Sequence, residues 1–396
     1  VKMNPFGTYY GPQRHHWSRA KGQILGVYNL VAAQGKSIAP SYNGCSETAM
    51  MAMFPYDGKE LTQEKKAEIC AFSDGAVISG ENDTAKSFDK CNVIFRQTKA
   101  DGIDEKDLKN PVMTASGTFG SGAEYGDFVD LSKLGAVTTK GVANIPWPGN
   151  PTPRIAETYG GMMNAVGLQN PGIDVFCKRD IPFLQQNNAS IIVNVCGKSE
   201  QDYVEVVERL ADEDVALLEI NVSCPNVKEG GIAFGQDPKA VEAITKEMKK
   251  YAAQPVIMKL SPNVTDITEM ARAAEAGGAD CLSLINTLTG MKIDIDRRTF
   301  VLANKTGGMS GPAIHPIAVR MVYQTAQAVK LPLIGMGGIA TAEDAIEMIL
   351  AGATAVSVGT ANFVDPRVTE KIVAGIEDYM RKYNVKDINE LIGAVR

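Results

Sequence analysis

The chain has 396 residues, 44% of them hydrophobic and 22% charged, with a formal charge of −6. That balance specifies a globular protein with a sizeable core and disfavours a nucleic-acid binder, which would carry a basic face. No apolar run approaches the roughly 20 residues that cross a bilayer, and the opening stretch "VKMNPFGTYYGPQRHHWSRAKG" lacks the apolar core of a signal peptide. In chain order, residues 1–100 show no strand–helix rhythm. "LTQEKKAEICAF" (61–72) reads as one helix capped by Thr62, and "APSYNGCSET" (39–48) and "SGENDTAKSFDKC" (79–91) read as loops. The adjacent His15 and His16 are the one candidate metal or catalytic pair there, and neighbouring histidines in a loop more often face solvent.

From about residue 110 the pattern changes. Eight apolar or β-branched runs follow: 112–117, 136–142, 191–197, 216–224, 255–262, 281–287, 331–339 and 355–361. Most are apolar through the middle, as parallel strands buried on both faces require. Amphipathic stretches at 199–213, 237–254, 266–278 and 341–353 separate the later ones, opening on Ser, Asp or Thr with acidic residues in the first turn. Eight βα repeats predict a (β/α)8 TIM barrel over 101–396, preceded by an N-terminal extension over 1–100 whose fold the sequence does not assign. A doubly wound sheet is the alternative; the strand count and the late glycine turns favour the barrel.

In such a barrel the carboxyl ends of the strands meet in one site. Those ends carry Ser116–Gly117, Lys140–Gly141, Asn194, Asn221 and Cys224, Lys259, Asn286–Thr287, Gly337–Gly338 and Gly359–Thr360. The two final glycine turns, "GMGGIATAEDA" and "SVGTANF", suit a phosphate, because glycine lets backbone N–H groups approach its oxygens. Asn164, Asn194, Asn221 and Asn286, with Asn170 nearby, offer both donors and acceptors. A ring of amides fits a flat heterocycle such as a flavin or pyrimidine, although any single Asn at a strand end equally caps a helix or closes a turn. Lys140 and Lys259 each end an apolar strand and need an anionic partner. Either a ligand or a barrel carboxylate would serve, but few acidic residues stand where they could supply one.

The cysteines at 45, 70, 91, 177, 196, 224 and 281 form no close pair. Free thiols in a reducing cytoplasm follow, and neither a zinc site nor a locally ligated iron–sulfur cluster is expected. Cys224 stands apart. In "ALLEINVSCPNVKEGG" the strand ends on the thiol and Pro225 forbids its continuation, so the sulfur sits where a barrel places a catalytic group. The third histidine, His315, is at no strand end, which leaves the thiol as the plausible proton acceptor.

Taken together, "NPVMTASGTFGSG", "GNPTPRIAET", "GGMMNAVGLQNPG", "NVSCPNVKEGGIAFG", "MKLSPNV", "INTLTGM", "GGMSGPAIHPIAVRM", "IGMGGIATAEDA" and "VSVGTANF" resemble the dihydroorotate dehydrogenases, and among them the NAD-linked catalytic subunits of class 1. The resemblance runs from about residue 105 to near the C-terminus with the motifs in family order. It implies an FMN-containing barrel that oxidises dihydroorotate to orotate in pyrimidine synthesis. Cys224 matches the base that takes a proton from C5 of the substrate while a hydride leaves C6 for the flavin; in the membrane-linked class this position is serine.

The resemblance further implies FMN contacts from Ser116, Lys140, Gly141, Asn194, Asn221, Lys259, Ile285, Gly311, Gly337, Gly338, Gly359 and Thr360. Substrate contacts would come from Lys140, Asn164, Ala165, Val166, Gly167, Leu168, Asn221, Asn286 and Thr287, under a lid whose glycines stand at 230, 231 and 235. This chain has no dinucleotide fingerprint, so the NAD-linked type implies a second subunit carrying FAD and a [2Fe-2S] cluster, in a heterotetramer of two plus two. A fumarate-using enzyme of class 1, a dihydropyrimidine dehydrogenase-like flavin barrel and a non-catalytic phosphate-binding barrel are the competing readings. The departure from the family lies in the residues ahead of "LKNPVM", where "NVIFRQTKADGIDEKDLKNP" is a distorted form of the expected hairpin.

Overall fold

A computed structural model of the chain describes residues 93–99, 102–222 and 234–395. The expected helix at 61–72, the loops at 39–48 and 79–91, His15, His16, Cys224, Pro225, Gly230 and Gly231 lie outside those residues. An antiparallel hairpin of β1 (Val93–Lys99) and β2 (Gly102–Leu108) leads into the barrel. The barrel strands β3 (Val112–Thr114) and β4 (Val137–Thr138) follow. Next come β5 (Ile155–Thr158) and β6 (Gly161–Asn164), outside the barrel wall. The wall resumes with β7 (Ile191–Val195), β8 (Leu217–Asn221), β9 (Val256–Lys259) and β10 (Cys281–Leu284).

A second excursion holds β11 (Leu288–Met291), β12 (Ile293–Asp294), β13 (Thr299–Phe300) and β14 (Thr306–Ser310). The wall ends with β15 (Leu333–Met336) and β16 (Ala355–Val358). Eight parallel strands run in the order β3-β16-β15-β10-β9-β8-β7-β4. A parallel bridge between Met113 and Ala136 joins the two ends of that order, and the Gly135 N–H donates to the Val112 carbonyl at 2.8 Å.

Between the wall strands lie α1 (Ile181–Gln186), α2 (Glu200–Leu210), α3 (Pro238–Tyr251), α4 (Ile267–Ala276), α5 (His315–Ala328) and α6 (Ala342–Leu350), with α7 (Val368–Tyr383) after the last. Ser199, Asp237, Asp266 and Thr341 cap α2, α3, α4 and α6, each side chain accepting a first-turn N–H. Ser199 with Asp202, and Thr341 with Asp344, complete reciprocal capping boxes. The first repeat departs from the expected rhythm: a 3₁₀ turn, Leu131–Lys133, stands there in place of a longer helix.

The wall strands are shorter than the apolar runs that announce them. Ser116, Lys140, Asn286 and Gly337 fall just past the ladders, where the chain turns out to form the site. The floor of the barrel is filled by Leu108, Met113, Ile192, Leu217, Ile257, Cys281 and Ile334, so the end of the hairpin plugs the bottom. At the opposite end β11, β14, β6 and β5 pair into a four-stranded antiparallel sheet. Their sequences, such as "TGGMS" and "GMMN", are short and glycine-rich and carry no apolar run. No helix among the described residues is long and apolar enough to cross a membrane.

Candidate active site

A cavity of about 600 Å³ opens at the carboxyl ends of the wall strands, a size suited to a cofactor and a small substrate. Its lining brings together most of the residues expected there. Ser116 and Lys140 come from the first two repeats, Asn221 and Lys259 from the ends of β8 and β9, and Ile285, Asn286 and Thr287 from beyond β10. Gly311, Gly337, Gly338, Gly359 and Thr360 line one part, and Asn164, Val166, Gly167 and Leu168 another. Three expected residues stand behind the wall instead: Gly141, Ala165 and Asn194. Ala165 and Asn194 have no exposed surface. A Cβ at Gly141 would lie 2.9 Å from Asn194 Oδ1 and 3.2 Å from Cys196 Sγ, so the glycine permits the amide to pack there. Gly235, expected in a lid, is buried just ahead of α3.

Lys140 is only 7% exposed. Among the described residues its ammonium has neither a hydrogen bond nor an ion pair, and the Cα of Gly117 passes close enough that a Cβ there would meet Nζ at 3.6 Å. A buried cation is costly without an anionic or polar partner, and this one faces the cavity.

Lys259 is different. It faces Glu219 across the β8–β9 pair, Nζ to Oε2 3.4 Å, with both side chains buried. The sequence reading missed this carboxylate, although the signal was present: "ALLEIN" places a charge two residues before Asn221, hence on the same strand face. Glu219 Oε2 also accepts from Asn194 Nδ2 at 2.5 Å, and Oε1 accepts from Ser283 Oγ at 2.7 Å. Asn221 Nδ2 donates to Asn194 Oδ1 at 3.4 Å, and Asn286 Nδ2 donates to Asn221 Oδ1 at 3.5 Å. Of the expected amides, Asn194, Asn221 and Asn286 thus form a connected ladder, whereas Asn164 donates to the Gly308 carbonyl and Asn170 to the Leu168 carbonyl.

At the glycine end, Gly311, Gly337 and Gly338 adopt φ values of +105°, +132° and +72°, which other residues rarely tolerate. A Cβ on Gly338 would come within 2.7 Å of His315 Cβ. His315 Nδ1 lies 2.8 Å from the Gly337 carbonyl and Nε2 lies 3.2 Å from Glu347, so the histidine braces the turn from behind. Thr360 Oγ1 donates to Ser310 Oγ at 2.7 Å. The turn after β3 is braced through the buried Asp180, which accepts from Arg179 Nε and Nη2 at 3.0 Å each and hydrogen-bonds Ser121. Burial holds that carboxyl above the usual range despite the guanidinium.

The donor set fits FMN: a cradle where side chains would clash, a buried ammonium unpaired among the described residues, and amides beside a second lysine. Residues 100–380 match the family model described as dihydroorotate dehydrogenase. The chain belongs to the dihydroorotate dehydrogenase family.

Relatives in that family are similar over the barrel. The protein named dihydroorotate dehydrogenase B (NAD(+)), catalytic subunit, of Lachnoclostridium phytofermentans is 71% identical over 289 residues, 73% of this chain and 96% of the relative. Its namesake in Alkaliphilus metalliredigens is 64% identical over the same shares. That of Geotalea uraniireducens is 57% identical over 73% of this chain and 95% of the relative. The family match over residues 100–380 includes the barrel strands and the residues that line the cavity.

Proposed function

We infer that this dihydroorotate dehydrogenase family member oxidises (S)-dihydroorotate to orotate in pyrimidine synthesis, using FMN held in the cavity, with the electrons passing to NAD+ through a partner subunit. The observation that carries the reading is a cavity lined by glycine turns, amides and the buried Lys140, whose ammonium has no partner among the described residues. When bound, FMN supplies the two-electron acceptor. Gly311, Gly337, Gly338, Gly359 and Thr360 hold its phosphate with backbone N–H groups, and Ser116, Lys259, Ile285 and Asn221 hold its ring, with Gly141 and Asn194 supporting from behind. Lys140, Asn164, Asn286 and Thr287, with the backbone of 165–168, hold and orient the substrate. Asn221 lies at the junction of the two.

Cys224, outside the described residues, takes the C5 proton; only the thiolate can accept it, so the thiol must ionise near the working pH. β8 ends at Asn221, which lines the cavity, and Cys224 follows three residues later in the sequence. The names of the relatives, with their "NAD(+)" and "catalytic subunit", support a partner subunit and NAD+ as acceptor; the motif resemblance implies that this partner is an iron–sulfur flavoprotein carrying FAD and a [2Fe-2S] cluster in a two-plus-two heterotetramer. A cytoplasmic location agrees with the buried thiols of Cys177 and Cys281, which form no disulfide. Residues 1–100 form an extension to the barrel unit of 101–396.

The test is optical. The purified chain should carry FMN absorbance that dihydroorotate bleaches, and Cys224→Ala should keep the flavin while bleaching at least ~100-fold more slowly at neutral pH. A chain that binds no FMN sinks the reading, and bleaching at the parent rate removes Cys224 from its role. NAD+ reduction that needs the partner subunit supports the electron route; turnover with fumarate alone contradicts it.

A further inference from the structure

Glu219 does not line the cavity, yet the cavity-lining Lys259 ends on it directly, and Asn221 and Asn286 reach it through Asn194. It is 2% exposed, and a carboxylate so buried persists only when its lone pairs are answered. Here all its side-chain partners are donors: the ammonium of Lys259, the amide of Asn194 and the hydroxyl of Ser283. An ionised carboxylate can only accept, and that has a directional consequence. Because Asn194 must turn its NH₂ toward Glu219, its carbonyl oxygen faces Asn221. Asn221 then donates to that oxygen and turns its own oxygen toward Asn286. Asn286 donates in turn, and its oxygen is taken by the Thr287 N–H at 2.7 Å.

We propose that Glu219 is the positioning residue of this site: its carboxylate oxygens, which only accept, fix the donor–acceptor polarity of the Asn194–Asn221–Asn286 ladder, and its charge anchors the Lys259 ammonium for the bound flavin. This rests on the flavin reading above. It makes the ladder a polarised relay set from below, with Asn221 and Asn286 presenting a fixed pattern to the cavity. The carboxylate also sets the local charge. Without it, Lys259 would leave a net positive charge; with it, the lysine directs a donor at the ligand while the pair stays neutral.

The two consequences separate by substitution in the full-length chain. Glu219→Gln keeps the shape and an acceptor for Asn194 and Lys259, since the Ser283 hydroxyl can reverse to accept from the new NH₂ group. Only the charge is lost. This variant should bind FMN close to the parent affinity and shift the flavin's midpoint potential to a more positive value, because electrons then enter a site with one negative charge fewer. Glu219→Asp, with the charge kept, should return the potential toward the parent value. Glu219→Ala leaves three donors unanswered and should raise the FMN dissociation constant at least roughly tenfold.

An unchanged potential in FMN-loaded Glu219→Gln, or parent FMN affinity in a folded Glu219→Ala, overturns the proposal. Should Glu219→Ala not fold, the Gln and Asp pair decides it alone. A parent chain that takes up no FMN overturns the functional reading and this proposal together, an outcome distinct from parent binding with insensitive variants.

Discussion

At the scale of single residues, the two strand-end lysines show how differently one sequence signature can resolve. Both end apolar strands, but Lys259 is neutralised by Glu219 inside the protein, whereas Lys140 has no partner among the described residues. Lys140 should therefore oppose folding of the empty protein and favour binding. Lys140→Met is expected to stabilise the ligand-free chain by roughly 1–3 kcal/mol and to weaken dihydroorotate binding; urea unfolding without ligand, beside equilibrium titration, reads both. The sequence and its family resemblance together located both lysines and nearly half of the cavity's lining. Neither distinguished the two lysines, because pairing depends on which neighbour stands across the strand, and Glu219 reaches Lys259 through a register that no local pattern specifies. For the same reason Gly141, Ala165 and Asn194 were expected on the wall and stand one layer behind it.

At the scale of elements, the eight wall strands were legible because parallel strands buried on both faces must be apolar throughout. The capped helices were legible because a helix N-terminus needs an acceptor side chain. Thr341 illustrates the size of that need. Its hydroxyl accepts from the Asp344 N–H, and Asp344 returns the bond to Thr341. Thr341→Ala should cost about 1 kcal/mol, seen as a lower thermal midpoint, with the FMN spectrum of the loaded protein unaltered. The four-stranded sheet at the mouth was not legible. Its strands of four or five residues pair across long stretches of sequence, β14 with β6 and β11, and their glycines and polar residues announce turns.

At the scale of the molecule, burial of titratable groups makes the fold sensitive to alkali. Burial raises the Cys281 thiol far above its usual value of 9.0 and pushes that of Cys177 up to about 12. The Tyr125 hydroxyl is raised by burial and, secondarily, by Glu124. Each group keeps its proton longer in the folded chain than in the unfolded one, so stability is full below the unfolded values and falls as pH climbs above about 9. The urea midpoint should decline between about pH 8.5 and pH 10.5, with a shallower decline in Cys281→Ala. A pH-independent midpoint would contradict the assignment.

The plugged floor, where Leu108 meets Met113, Ile192 and Ile257, carries a consequence for molecular traffic. Among the described residues the barrel is sealed at its base, so traffic to and from the cavity runs through the end formed by the carboxyl ends of the strands. An arriving molecule cannot push a departing one out through the far side.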